Sequence, residues 1–337
     1  MTVNFAEKAS VTPKGAVLLG RSVACDAFDE TRPLRVVTHA HADHIIGLRQ
    51  SLKTCEKVLM TSATRDLIES LKGSQHLNCG FIETLDYGKT IHYDDEAITL
   101  VRSDHIIGAA QVVVEEPDGT RVAYTGDFRI DGTPVVDADV LVTEATYGNP
   151  MCKRQSNADI RELFVGLVEK GLKHGPVHIF GYHGKLQEAM QILHNAGIRA
   201  TKIASEKVFL ASQVCLKHGM QLGHLKLMGD PEAEELLKKR APCIAFCHSY
   251  SQYKESVKGF SITLSGWEFN LPIRENAKNT YTVALSDHSD YNGLMEYIRR
   301  SKPKLVITDN YRDGHATTFA KEIQKNLGIP AKALPKR

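Results

Sequence analysis

The stretch Val36-Val37-Thr38-His39-Ala40-His41-Ala42-Asp43-His44 places three histidines and one aspartate within six residues. Imidazole nitrogen and carboxylate oxygen together suit zinc or a similar borderline divalent ion. A rigid helix would spread these side chains, whereas a turn leaving a strand end can converge them on one point. The apolar residues leading in read as a short buried strand, and the Gly/Ser content of a flexible surface turn is missing. A catalytic ion keeps one position open for water, so four donors in so short a segment exceed the needs of one ion. The segment therefore predicts two divalent ions, zinc foremost with manganese as the alternative. Their spacing would be roughly 3.5–4 Å, which clamps both oxygens of an in-line phosphoryl displacement.

The elements that must position such a cluster recur along the chain. Asp26 ends the strand-like Ser22-Val23-Ala24-Cys25, ahead of the Thr31-Arg32-Pro33 break. It reads either as a turn-forming residue or as a carboxylate orienting a ligand imidazole. Ile45–Leu52 and Thr61–Leu71 read as helices flanking the strand Val58-Leu59-Met60. Alternation over Thr90–Val101 leads to His105, which precedes a further apolar run, Val112-Val113-Val114, and is read as a ligand. Arg121-Val122-Ala123-Tyr124-Thr125-Gly126 repeats the pattern and presents Asp127, whose two oxygens can bridge two cations. Val140-Leu141-Val142-Thr143 ends on Glu144. Acids and histidines at successive strand ends are what an α/β sandwich with its site along one sheet edge presents.

After Pro150 the texture changes. Helical period over Ala158–His174, a strand at Pro176–Phe180 and a helix at Gly184–Ala196 begin an alternation that continues to Phe246, predicting a compact inserted βαβ unit. Gly181-Tyr182-His183-Gly184-Lys185 is a glycine-flanked helix start without a Walker loop, and His183 reads as a satisfied or solvated histidine. Cys243 and Cys247 with His248 lie in what reads as a buried strand, not a second metal site. Trp267, the only tryptophan, reads as core filler before a stacking platform. The first texture then resumes: Tyr281–Leu285 leads to Ser286-Asp287-His288-Ser289-Asp290, and Lys304–Thr308 to Asp309, each followed by a helix.

At 337 residues the chain exceeds one average domain. Its 42% hydrophobic and 24% charged content is ordinary for a globular protein, and a net charge of +2 neither demands nor excludes nucleic acid. No apolar run approaches the ~20 residues of a membrane span. The segment Met1–Lys14 lacks the apolar core of a secretory signal, and seven scattered cysteines fit a reducing interior. A cytoplasmic location without membrane contact is expected.

Taken together these motifs resemble those of the metallo-β-lactamase superfamily and, within it, the β-CASP nucleases, over nearly the whole chain. Thr38–His44 resembles the family's HxHxDH motif, and His105 and Asp127 its later single ligands. Glu144 in Glu-Ala-Thr-Tyr-Gly resembles the acid that opens the β-CASP insertion, Ser265-Gly266-Trp267 its exit, and His288 its histidine motif. The resemblance implies an αββα sandwich with an inserted β-CASP α/β domain: residues 1–150 and 269–337 for the sandwich, 151–268 for the insertion. It implies that His39, His41 and His105 hold one ion, that Asp43, His44 and Asp309 hold the other, and that Asp127 bridges. Asp43 also counts among the catalytic residues, Glu144 and His288 would form an acid–base or orienting pair, and Asp26 would steady a ligand histidine.

The implied activity is hydrolysis of nucleic-acid phosphodiesters, with the insertion covering the site and bases stacking on aromatics such as Tyr182 or Trp267. Asp26-Ala27-Phe28 and Asp127-Phe128-Arg129 resemble Artemis-type DNA-repair nucleases, and Ile106–Gln111 resembles ligase-associated DNA exonucleases. Glu144 is closer to RNA 3′-end processing enzymes. The latter two groups carry a metal-binding histidine at the last strand end, where this chain has Asp309; His315, six residues on, is the alternative donor. A DNA exonuclease acting on single strands leads over an RNA-processing enzyme, with a DNA ligase or helicase as the candidate protein partner. A small-molecule hydrolase is disfavoured because small substrates need no second domain. A non-catalytic binding subunit is disfavoured because six of the seven expected ligand positions are intact.

Overall fold

The computed structural model describes residues 4–74, 77, 81–249 and 259–336. They form two compact units, one built from residues up to Cys152 and from His288 onward, the other from Lys153–Asp287.

The first unit opens with β1 (Ala9–Val11), β2 (Val17–Leu19), β3 (Val23–Cys25) and β4 (Leu34–Val36). Helix α1 (Leu48–Thr54), β5 (Lys57–Met60), α2 (Ser62–Lys72) and β6 (Ile82–Thr84) follow. The six strands pair in sequence order, antiparallel to β3 and parallel from there to β6. A second sheet starts from β7 (Thr90–Tyr93), β8 (Glu96–Arg102), β9 (Ala110–Glu115), β10 (Arg121–Tyr124) and β11 (Val140–Thr143).

The second unit contains α3 (Asn157–Leu172), β12 (Val177–Gly181), α4 (Lys185–Asn195), β13 (Lys202–Ala204), α5 (Glu206–Lys217) and β14 (Leu225–Leu227). It continues with α6 (Pro231–Lys238), β15 (Ile244–His248), β16 (Phe260–Leu264), β17 (Ile273–Ala277) and β18 (Thr280–Val283). Its sheet runs β14-β13-β15-β12-β16-β18-β17, parallel except for the β17–β18 hairpin. That hairpin moves the expected boundary. β18 pairs in register with β16, Ile262 opposite Tyr281, so residues 269–287 belong with the insertion and not with the sandwich. The start of the insertion, expected at 151, falls at Lys153.

The first unit is completed by α7 (Tyr291–Ser301), β19 (Leu305–Asp309), α8 (Ala316–Leu327) and β20 (Ala331–Leu334). β19 pairs parallel with β11, and β20 with β19, giving the order β20-β19-β11-β10-β9-β8-β7. Alternation along the strands explains the layering, because successive side chains point to opposite faces. Leu19, Val36 and Leu59 meet Leu100, Val112, Tyr124 and Val142 between the two sheets. The opposite set, Val113, Ala123, Leu141 and Val306, packs on Leu294 and Ile298 of α7 and Phe319 and Ile323 of α8. Val37, Val58 and Met60 pack on Leu48 and Leu52 of α1 and Ile68 of α2. The result is the expected helix–sheet–sheet–helix sandwich.

Local chemistry sets the helix starts. Helix α1 begins three residues later than expected, because Ala42–His44 closes a 3-10 turn and Gly47 takes a left-handed φ of 68°. Thr61 caps α2, its Oγ1 accepting from the Thr64 amide. The Thr61 and Thr64 hydroxyls also donate to the Gly108 carbonyl at 2.8 and 3.0 Å, tying the His105 loop to α2. Gly108 has φ 83°, and a Cβ there would lie 2.6 Å from the Thr64 backbone nitrogen. Gly108→Ala is therefore expected to destabilise the first unit by more than about 1 kcal/mol. A thermal unfolding midpoint equal to that of the parent chain would contradict this account of the loop.

Candidate metal centre

Every expected donor leaves the C-terminal end of a strand or the turn beyond it. Thr38–His44 follows β4, His105 follows β8, Asp127 follows β10, Glu144 follows β11 and Asp309 ends β19. β8 and β10 both run antiparallel to β9, so their ends open at the same edge. The two sheets meet there: the Ala110 amide donates to the Thr38 carbonyl at 2.9 Å. Gly126, with φ 56°, permits this approach, since a Cβ would come within 3.1 Å of the Ala110 carbonyl oxygen.

His39, His41, His105 and Asp127 converge, one donor atom from each lying within 4.8 Å of the others. His41 Nδ1 is 3.1 Å from both His39 Nε2 and His105 Nε2. Asp127 Oδ2 stands 3.6 Å from His39 Nε2 and 3.7 Å from His105 Nε2. A tetrahedral ion with bonds of about 2.0–2.1 Å separates its donors by about 3.3–3.4 Å, so these four atoms fit zinc. Burial, and then the neighbouring His44, His105 and His41, hold the His39 pKa well below the ordinary imidazole value. The ring is thus neutral, the form that ligates a metal. Burial works against charge on Asp127, but His44 and His288 outweigh it and keep the carboxyl well below the usual range.

Asp26 lies against His44 and Thr38. It is fully buried, and its Oδ2 accepts from His44 Nδ1 at 2.7 Å. It also receives the Thr38 amide and hydroxyl, both at 2.8 Å. Its φ of 63° is left-handed, a conformation aspartate tolerates better than most residues. Burial alone would raise its pKa, and His44, Arg312 and the Thr38 bond bring it below the usual carboxylate value.

Glu144 and His288 form a pair. Both carboxylate oxygens reach His288 Nδ1, at 2.9 and 3.1 Å, and Oε1 also receives the Phe128 amide at 2.8 Å. The Ser289 amide donates to the Phe128 carbonyl at 2.7 Å, and Ser289 Oγ receives the Ile130 amide at 2.9 Å. The loop after Asp127 is thereby strapped to His288, whose ring lies 4.7 Å, centroid to centroid, from that of His105.

The donors expected for a second ion are arranged differently. His44 Nε2 lies 3.2 Å from Asp127 Oδ2 and 3.3 Å from Asp43 Oδ2, but the Asp43 side chain is 57% exposed. Asp309 belongs to none of the candidate ion-holding groups among the described residues. Its Oδ2 is 2.5 Å from Arg312 Nη1, and its Oδ1 receives the Tyr311 amide at 2.9 Å. Arg312 also donates from Nε to His44 Nε2 at 3.1 Å and from Nη2 to the Asp43 carbonyl at 3.2 Å. A guanidinium therefore lies where the second ion was expected, and Asp43, His44 and Asp309 as a set do not fit an ion in this arrangement. His315 precedes α8, its amide donating to the Ala145 carbonyl at 2.7 Å.

Burial and the Arg312 cation push the His44 pKa down, yet Asp127, Asp26 and Asp43 together raise it well above the ordinary value. Arg312 was not singled out by the sequence; its one signal is a position three residues beyond the strand-end acid Asp309.

In the second unit, Trp267 departs from expectation: it is 55% exposed, in the loop after β16, edge-on to Phe269. Tyr182 is 48% exposed. Cys243 and Cys247 are buried, just before and within β15. Lys185, at the glycine-flanked start of α4, has its Nζ 3.3 Å from an Asp287 oxygen.

A sandwich of this type with a histidine and aspartate donor set at one sheet edge defines a metallo-hydrolase. Residues 273–335 match the family described as the Zn-dependent metallo-hydrolase RNA specificity domain. The chain is 42% identical over 138 residues to an uncharacterized protein in the lig 3′ region of Acidianus ambivalens, covering 40% of this chain and 99% of that one. It is 22% identical to the RNase J-like protein of Methanocaldococcus jannaschii, over 95% and 92% of the two chains. With the DNA cross-link repair protein SNM1 of Arabidopsis thaliana it shares 26% identity, over 85% and 62%. Its fold matches a crystal structure of a protein of unknown function from Enterococcus faecalis, with a TM-score of 0.63 at 14% identity, over 92% and 81% of the chains. The chain belongs to the metallo-β-lactamase/β-CASP family of metallo-hydrolases.

Asp26→Asn keeps the volume of the buried side chain but removes the charge that orients His44 and Thr38. Zinc affinity is expected to fall, because the turn that carries His39 and His41 loses its anchor at Thr38 and His44. Equilibrium dialysis against zinc measures it, and an unaltered affinity would refute the orienting role.

Proposed function

We propose that this chain is a DNA exonuclease of repair or processing, acting on single strands through an ion held by His39, His41, His105 and Asp127. The observation that carries the phosphodiesterase reading is the Glu144–His288 pair strapped beside that donor set. When bound, the ion supplies Lewis acidity and lowers the pKa of water toward neutrality. The chain's own residues then have separate tasks. His39 and its partners fix the ion, Asp26 holds His44, and Glu144 takes the Nδ1 hydrogen of His288 so that Nε2 is the basic nitrogen.

Water oxygen attacks phosphorus as the bond to the departing sugar oxygen breaks; the proton the water loses passes to a basic nitrogen and is returned to the departing oxygen. His288, oriented by Glu144, is placed to carry it. His288→Ala and Glu144→Gln are each expected to lower kcat by about 10²–10⁴-fold while zinc content stays at the parent level. A loss of zinc in parallel with activity would move both residues into the metal-holding set.

The preference for DNA rests on the motifs around Asp26, Asp127 and Ile106–Gln111 and on the similarity to SNM1. The exposed Tyr182 and Trp267 are the candidate base-stacking surfaces, and a DNA ligase or helicase is the candidate partner. An RNA-processing enzyme is the second reading, favoured by the RNA specificity domain description over residues 273–335 and by the RNase J-like relative. End-labelled single-stranded DNA and RNA of one sequence, with zinc or manganese, separate the two. The DNA reading expects metal-dependent shortening of DNA from one end, absent in Asp127→Ala. Internal cuts confined to RNA would replace it with the second reading, and no cleavage of either would reject both.

A further inference from the structure

We infer that Arg312 is a built-in cation that takes the place of a second metal ion, so that this centre holds one ion and one guanidinium. The inference rests on the metal-centre reading of the four-donor cluster, and it makes the number of ions a property of this chain's own side chains.

The geometry is that of substitution. A second ion in this arrangement needs a lone pair from His44 Nε2 and an oxygen from Asp309. His44 is held through Nδ1 by Asp26 at 2.7 Å, which turns Nε2 toward Arg312. The Nε–H of Arg312 is directed at that nitrogen from 3.1 Å. Nη1 meets Asp309 Oδ2 at 2.5 Å, and Nη2 reaches the Asp43 carbonyl at 3.2 Å. Each of the three guanidinium nitrogens thus donates to one of the three residues expected to hold the second ion. A guanidinium is planar and permanently charged, and its donors form a fixed fork, so it can satisfy several acceptors at once where a lysine would satisfy one point.

Burial and charge agree with this placement. The Arg312 side chain is 9% exposed, and the Asp309 side chain 2%. Burial opposes charge on the guanidinium, but Asp309, Asp26 and Asp127 lie close enough to more than restore it. Removing a buried cation from among such carboxylates leaves uncompensated negative charge, which is costly unless another cation replaces it. A divalent ion entering this position would have to expel Arg312 from its pocket. The departure at Asp309 from the family's strand-end histidine then has a physical reading: the carboxylate offers Arg312 a charged acceptor in Oδ2 while Oδ1 takes the Tyr311 amide, and a neutral histidine brings no such charge.

The test counts metal without substrate, so it stands apart from the question of which nucleic acid is cut. The full chain is loaded with excess zinc chloride, freed of loose metal by gel filtration, and analysed by elemental mass spectrometry. The parent chain is expected to hold about one zinc, and Arg312→Ala about two, because the vacated donors then resemble a two-metal site. Asp309→Asn serves as the second variant. It is expected to leave zinc at the parent level, since Asp309 anchors Arg312 instead of a metal. About two zincs in the parent chain, or a fall in zinc content in Asp309→Asn, would overturn the inference. So would a folded Arg312→Ala that holds no more zinc than the parent. A parent chain that holds no zinc would overturn both this inference and the metal-centre reading beneath it.

Discussion

A carboxylate buried away from water must be compensated at every oxygen, and the arrangement around Asp26 shows how far that requirement reaches. Oδ1 takes the Thr38 amide, and Oδ2 takes the Thr38 hydroxyl and His44 Nδ1. These bonds fix the first and last residues of the turn that carries His39 and His41. The Thr38 carbonyl in turn receives the Ala110 amide from the second sheet. One charge therefore sets the turn conformation, the tautomer of His44 and part of the closure between the sheets. Its left-handed backbone places the side chain under the turn, where an extended residue would point elsewhere.

The remaining parts of the site follow the same logic of strands that end together. β8, β10 and β11 stop at one edge, so residues far apart in sequence supply neighbouring donors. Ligands in open α/β sheets gather at the carboxyl ends of strands for this reason. The centre also balances its charges locally. Asp127 faces histidines, Glu144 faces His288, and Asp309 faces Arg312.

Much of this was legible in the residues. The alternation of Val112–Val114 and Val140–Thr143 marks strands, and a polar residue just past each apolar run marks the edge where His105, Asp127 and Glu144 sit. The sandwich and the strand-end placement of these residues descend from that one pattern, whereas the Glu144–His288 pair was implied by the resemblance to the β-CASP nucleases. What stayed hidden depends on three-dimensional closure. Arg312 looks like any surface arginine until the turn after β19 swings it back beneath His44. The β17–β18 hairpin reads like the strands of the sandwich, because pairing partners are not written in hydrophobic period. The residue type of Trp267 points to the core, while the structure places it in an exposed loop after β16.

The division of the chain has a bearing on how the molecule comes together. The second unit is one continuous segment, so its strands can find each other as soon as Lys153–Asp287 exists. The first unit is split, and its β11–β19 pairing joins Val140 to Leu305 across the whole of that segment. Contacts of such sequence separation close late, since loop entropy must be lost before they return any stabilisation. His288 and Arg312 both lie in the later part. During synthesis the four metal donors are therefore made well before the residues that complete their surroundings. Until β19 docks, the edge of β11 is open, and the histidines of the β4 turn face water without their buried neighbours.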